Sequence, residues 1–84
     1  MAFYLVTFSS ITPANKVKKK LDSYGHNSSL MHTPMSISQK GCSYALKVSS
    51  KAVSDIAKIS REYDIQIYGV YKELAGGVYE EAEL

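Results

Sequence analysis

The chain has 84 residues, a single cysteine and a formal net charge of +2. This length suits one domain with a core of modest size, and one cysteine excludes both an internal disulfide framework and a cysteine-rich metal site. No apolar run approaches the length needed to cross a bilayer. The N-terminal run 2–8 has no preceding positive charge and is unlike a signal peptide, so we expect a cytoplasmic protein.

Charge is divided unevenly along the chain. Residues 1–74 hold all ten Lys and Arg and five acids, a balance of +5, whereas residues 75–84 carry three glutamates. We predict a single domain over 1–74 and an acidic C-terminal tail over 75–84 that is frayed unless it docks on a partner. The basic balance is too small, by itself, to indicate nucleic-acid binding.

The first part of the chain predicts a strand, a helix and a second strand. Residues 3–8 are continuously apolar and rich in aromatic and β-branched side chains, as in a central strand. Pro13 suits the first position of a helix, which we expect to begin at residue 12 or 13 and to stop at Gly25. Residues 27–33 are mostly polar and predict an edge strand ended by Pro34. The stripe that the helix buries is Ala14, Val17, Leu21 and Tyr24.

The second part predicts a strand, a helix and a strand. Residues 44–48 and 65–71 alternate as strands do, and Gly69 is a candidate bulge. The helix between them is capped by Ser49 or Ser50. Its predicted inward stripe is Val53, Ile56, Ala57, Ser60 and Tyr63.

This order, β-α-β-β-α-β, predicts an α+β fold of the ferredoxin-like type, a four-stranded antiparallel sheet with two helices on one face. We expect the first and third strands side by side at the centre, in parallel, with the second and fourth strands at the edges.

Four lysines are clustered in the first helix, between Lys16 and Lys20. They could form a site for an anion or a partner. Cations in the last turns of a helix also complement its dipole and solvate its outer face. We favour the solvated face.

Cys42 is the first candidate for chemistry. A free cysteine is often a small buried hydrophobe. Here Lys40 supplies a nearby cation, Gly41 allows an open backbone and Ser43 can donate a hydrogen bond, which together indicate an accessible thiol. In the predicted topology Cys42 lies near the C-terminal ends of both helices, so no helix N-terminus is available to lower the pKa of the thiol.

Other polar residues add little to this site. The same topology puts Ser9 and Ser10 at the opposite end of the sheet from Cys42. His26 and His32 are more plausible neighbours, but neither has a carboxylate at a spacing that suggests a catalytic triad, so we do not expect a hydrolase. Three scattered ligands form a poor zinc pattern, and we predict no metal and no cofactor.

Several segments carry a resemblance to a known family: Phe3–Ser10, Ala14 and Leu21 on a helix ending at Gly25, Thr33-Pro34, Ile37-Ser38, Gly41-Cys42 and Ala45–Val48. They look like the selenium/sulfur carrier protein-like family of small bacterial domains, over about residues 3 to 73. Two positions depart from its pattern. Met35 stands where the family often has Arg, and Gly41-Cys42-Ser43 stands where it often has Cys-Gly.

The resemblance implies a carrier and not an independent catalyst. Cys42 would hold sulfur or selenium as a persulfide or selenopersulfide, framed by Pro34, Lys40 and Gly41, with Ser43 beside it. The donor would be a sulfurtransferase-like protein on a separate chain, and the acceptor is unknown.

Two other functions compete with the carrier. A small interaction or regulatory module could use Leu30, Met31 and the seven tyrosines in a homodimer, with a purely structural cysteine. RNA could stack on Tyr4, Phe8 and Tyr44 if these lay on an open sheet face, but the glycine-aromatic signature of RNA-recognition modules is absent.

Overall fold

The structure is a computed structural model that describes residues 3–35, 37 and 44–82. Within them, two helices and five strands form an antiparallel α+β fold, which confirms the predicted class. Neither helix is long and apolar enough to cross a membrane. In chain order the elements are β1 (Phe3–Phe8), α1 (Ile11–Ser23), β2 (Ser28–His32), β3 (Tyr44–Ser49), α2 (Ser50–Glu62), β4 (Gly69–Glu73) and β5 (Tyr79–Ala82).

The sheet has the strand order β2-β3-β1-β4-β5, and every neighbouring pair is antiparallel. β1 and β3 are adjacent, as predicted, but the expectation that they run in parallel is wrong. A strand-helix-strand crossover makes the two strands that it joins parallel, and those are β1 with β2 and β3 with β4. The direct connection from β2 to β3 reverses the chain between them.

A fifth strand lies outside the four-stranded prediction. β5 pairs with β4 in the acidic segment that was expected to be frayed. Glu80 stands opposite Lys72 in this pair, a cross-strand arrangement of opposite charges that favours pairing. The edges of the sheet are β2, as predicted, and β5, so the prediction that the fourth strand is an edge is wrong.

β4 also begins later than the alternation at 65–71 predicted. Its first residue, Gly69, is the partner of Thr7 in the register. The preceding Tyr68 donates its backbone N–H to the Thr7 carbonyl at 2.9 Å. Two residues therefore oppose one, as in a bulge.

The helices differ from prediction in detail. α1 begins at Ile11, with Ser10 as N-cap, and Pro13 lies within its first turn, where a missing N–H costs nothing. Ala14, Val17 and Leu21 are fully buried as predicted, but Tyr24 is exposed. α2 fully buries Ala52, Ile56 and Ile59, so Ile56 is the one fully buried member of the predicted stripe. Val53 and Tyr63, also predicted, are partly buried against the core. Both stripes have helical spacing, and packing on the sheet selects the one that buries a second isoleucine.

The two faces of the sheet carry separate clusters. The main core lies between the sheet and both helices. A smaller cluster on the other face contains Leu5, Ala45 and Ile37, all buried, with Met31, Tyr71 and Tyr79 packed against them. Ile37 comes from the connection between β2 and β3, and it packs on the face without helices.

Candidate functional site

The first residue of β3, Tyr44, lies two positions after Cys42 in the sequence and marks the end of the sheet at which β3 begins. Tyr44 pairs with Phe8 at the end of β1 and with His32 at the end of β2. We call this the entry end, and the end that holds Tyr4, Ser28 and Val48 the far end. Cys42 itself, with Lys40, Gly41 and Ser43, lies outside the described residues.

The antiparallel pairing changes the surroundings that the sequence predicted for the start of β3. Ser9 and Ser10 follow Phe8 directly and lead into α1, so they lie at the entry end. The prediction that they occupy the opposite end is wrong. α2 ends at the entry end as expected, but α1 begins there and ends at the far end, because β1 and β3 run in opposite directions.

Pro34 is the one predicted site residue that the structure describes. It is half-buried, and its carbonyl accepts the backbone N–H of Ile37 at 3.1 Å. Thr33, immediately before it, is buried and its hydroxyl has no hydrogen-bond partner. Met35 is 95% exposed. The connection thus leaves β2 through an anchored turn whose two ends, Thr33 and Ile37, are buried.

The two histidines lie at opposite ends of the sheet. The His32 ring lies 4.9 Å from the Tyr44 ring, centroid to centroid, at the entry end. His26 precedes β2 at the far end, and its Nε2 is 2.5 Å from a carboxylate oxygen of Asp55. The predicted neighbourhood of His26 and Cys42 is therefore not supported, because His26 and the start of β3 are separated by the length of β2.

His26 and Asp55 form a pair that no sequence pattern indicated, since they are 29 positions apart and are joined only by the packing of α2 near the end of α1. Among the described residues, no group of three or more His, Cys, Asp or Glu side chains could hold a metal ion. The pair lies at the far end, separated from the start of β3 by the length of β2.

The aromatic side chains proposed for RNA stacking lie on the wrong face. Tyr4, Phe8 and Tyr44 all belong to the core between the sheet and the helices. Phe8 is fully buried there. The central strands therefore present no stacking platform formed by these residues, and the RNA hypothesis loses the feature that supported it.

The lysines of α1 have different surroundings. Lys18 forms an ion pair with Asp22 at 3.4 Å. Lys20 lies 4.7 Å from the centroid of the Tyr63 ring, and a side-chain hydrogen bond with Tyr63 raises the pKa of Lys20 above its ordinary value. Lys16 and Lys19 line an open depression on the outer side of α1, together with Ile11, Thr12 and Asn15. The solvated-face interpretation fits Lys18. The depression leaves a partner site open at Lys16 and Lys19.

Comparison with known proteins identifies the family. A family model described as "Putative Se/S carrier protein-like" matches residues 3–72. The chain belongs to this family. The resemblance seen in the sequence is thereby confirmed. No curated protein and no solved structure matches the chain.

The match to the Se/S carrier-like family runs from the first residue of β1 into β4 and includes Cys42. β5 lies beyond it, so the fifth strand is an addition to the matched part of the chain. The family description indicates a carrier of selenium or sulfur, and Cys42 is the only cysteine in the sequence.

Proposed function

We propose that this protein carries sulfur or selenium on Cys42, as a persulfide or selenopersulfide, between a donor and an acceptor. The observation that carries the proposal is the family match over residues 3–72, which includes the only cysteine of the chain. No other residue type in the sequence offers the nucleophilic sulfur that such a carrier needs. We expect this carrier to act in the bacterial cytoplasm, where a free thiol stays reduced.

The proposed transfer conserves atoms and charge. The Cys42 thiolate attacks the terminal sulfur of a donor persulfide, a new S–S bond forms at Cys42, and the donor S–S bond breaks. The donor cysteine leaves as a thiolate, and the proton of the donor persulfide stays on the transferred sulfur. An acceptor thiolate repeats the same exchange on the Cys42 persulfide, so neither step needs an external oxidant or reductant.

The proposed activation of the thiol comes from the N-terminal end of α1. Cys42 is two positions before Tyr44, which limits the separation of their Cα atoms to about 7.6 Å. Tyr44 pairs with Phe8, and α1 begins at Ile11. The first turn of α1 contains no acidic residue, so its backbone N–H groups keep their full attraction for an anion. This is the device that sequence reasoning had excluded for Cys42.

The remaining predicted site residues have supporting roles in this proposal. Lys40 adds a positive charge for the thiolate or persulfide anion, Gly41 gives the donor close access, and Ser43 donates a hydrogen bond. Pro34 starts the anchored turn that leads toward them. The donor is a sulfurtransferase-like protein.

Intact-mass measurement after incubation with a low-molecular-weight persulfide tests the carrier role. We expect the wild-type chain to gain one sulfur atom and Cys42→Ser to gain none. The double variant Cys42→Ser/Ser54→Cys is a matched control, because it moves the thiol to an exposed position on α2. Equal labelling of wild type and Cys42→Ser, or no adduct on wild type, would remove the proposal.

The pH dependence of Cys42 alkylation tests the activation. A thiolate stabilised by the start of α1 reacts at lower pH than the thiol of the Ser54→Cys control, which lies in the interior of a helix. A higher apparent pKa for Cys42 than for this control would show that the thiol is not activated.

The order of the first four strands, β2-β3-β1-β4, and the two crossover helices support the finer assignment of the fold. We infer a ferredoxin-like sandwich that β5 extends at one edge. An experimental structure in which β1 and β4 were not neighbours would overturn this assignment.

A second candidate, a homodimeric interaction module, is favoured by one observation. The two edges of the sheet differ, since β5 carries Glu80 and Glu81 whereas Ser28–His32 contains no Lys, Arg, Asp or Glu. Charged edge strands resist pairing with other chains, and β2 lacks that protection. Light scattering after gel filtration should then show a dimer that Met31→Lys dissociates, whereas a concentration-independent monomer would exclude this candidate.

A further inference from the structure

The outer side of α1 has the features of a docking surface near the entry end. The depression there is lined by Ile11, Thr12, Asn15, Lys16 and Lys19, which we call the α1 face. Ile11 is the first residue of the helix and is 42% exposed, although it is a large apolar side chain. An exposed isoleucine beside two lysines combines an apolar anchor with positive charge.

The charge of the α1 face is not compensated by the residues that line it. Neither Lys16 nor Lys19 forms an ion pair within the part of the chain that the structure describes, whereas Lys18 on the same helix is paired with Asp22. None of the lining residues is acidic, and the first turn of α1 contains no acid. The chemistry that complements this face is a carboxylate-bearing surface.

The shape of the depression favours a protein over a small molecule. Small-molecule sites are clefts that enclose most of the ligand surface. The lining residues named above all come from one helix, so they form a floor without a facing wall. A protein partner can cover such an open surface with its own, as in a protein–protein interface of ordinary size.

We propose that the α1 face docks the protein that exchanges sulfur or selenium with Cys42. The partner places an apolar side chain against Ile11 and carboxylates against Lys16 and Lys19. This inference rests on the carrier function proposed above and names the surface through which it operates. Direct transfer requires contact between the two sulfur atoms, so the partner must cover the surface beside the entry end, where α1 begins.

The test compares two donors and two double variants. The donors are a persulfide-loaded bacterial sulfurtransferase and a low-molecular-weight persulfide, which needs no docking surface. Lys16→Glu/Lys19→Glu reverses the charge of the α1 face, and Lys51→Glu/Lys58→Glu makes the same change in net charge at exposed positions on α2. Binding of the same sulfurtransferase to Cys42→Ser chains with and without each double substitution gives a readout that needs no sulfur chemistry.

We expect Lys16→Glu/Lys19→Glu to slow transfer from the sulfurtransferase and to weaken its binding by roughly tenfold, an effect that added salt diminishes. Transfer from the small persulfide should not change, and Lys51→Glu/Lys58→Glu should behave as wild type. Ile11→Ser should weaken the same binding without altering its salt dependence.

Equal effects of the two double variants would overturn the docking proposal. So would a failure of the sulfurtransferase to bind the Cys42→Ser chain that keeps all its lysines. Failure of the carrier function has a different signature: the wild-type chain accepts no sulfur from the small persulfide, whatever the binding measurement gives.

Discussion

The two ends of the sheet are built differently. At the far end, α1 stops at a glycine with a φ of 83°, and the His26–Asp55 contact joins the start of β2 to α2. At the entry end, Ile11 and Met35 are exposed and the buried hydroxyl of Thr33 has no partner. The far end has a buried, unpartnered hydroxyl of its own on Ser28, and exposed Phe3 and Tyr24 rings. The two ends therefore differ in the His26–Asp55 contact and in which end of α1 they hold. The contact that joins α2 to the start of β2 and the beginning of α1 therefore lie at opposite ends of the sheet.

The largest expected effect separates the two ends of a single helix. Leu21→Ala, at the far end of α1, removes a fully buried side chain and should lower the free energy of unfolding by about 2–5 kcal/mol. Ile11→Ala, at the entry end, should cost less than about 0.5 kcal/mol, because Ile11 already contacts solvent. Urea denaturation measures both. Similar losses would show that the entry end of α1 is as tightly packed as its far end.

A smaller effect concerns the polar contact at the far end. Asp55→Ala leaves His26 without its carboxylate and should reduce stability by about 1 kcal/mol, since both side chains are only partly exposed. Asp22→Ala breaks the exposed pair with Lys18 and should cost about 0.5 kcal/mol or less. Neither change should alter the alkylation rate of Cys42. A slower reaction in Asp55→Ala would show that the two ends communicate.

The smallest expected effect has the opposite sign. Thr33→Val replaces an unpartnered buried hydroxyl with a methyl group and should raise stability by up to about 1 kcal/mol. Thr7→Val is the matched control, because the Thr7 hydroxyl is buried but donates to the Gly69 carbonyl at 3.2 Å. The control should lose about 1 kcal/mol. If thermal unfolding showed a loss at both positions, the Thr33 hydroxyl would have a stabilising partner after all.

The contrast between ends also separates stability from function. Changes at the far end should move the unfolding transition and leave sulfur transfer per folded molecule unchanged. Changes at Cys42 or on the α1 face should do the reverse. If far-end changes and changes at Cys42 or on the α1 face altered sulfur transfer equally, stability and transfer would not be separated between the two ends.

Local patterns were sufficient to identify most helices and strands. The buried stripe of Ala14, Val17 and Leu21 and the apolar run of β1 follow from spacing that adjacent residues impose on one another. The succession from Thr33-Pro34 to Cys42 was sufficient to suggest the family, which the match over 3–72 confirmed. These features depend on near neighbours in the chain, and near neighbours are what a single sequence displays.

Long-range pairing decided the rest. The direction of β3 beside β1, the pairing of β5 with β4, and the meeting of His26 with Asp55 all join residues that are distant in sequence. The direction of β3 has the greatest consequence, because it brings the beginning of α1, and not its end, to the end of the sheet where β3 begins. Residue identity marked Cys42 as the candidate thiol from the start, but the antiparallel register determined which end of α1 lies beside the first residue of β3.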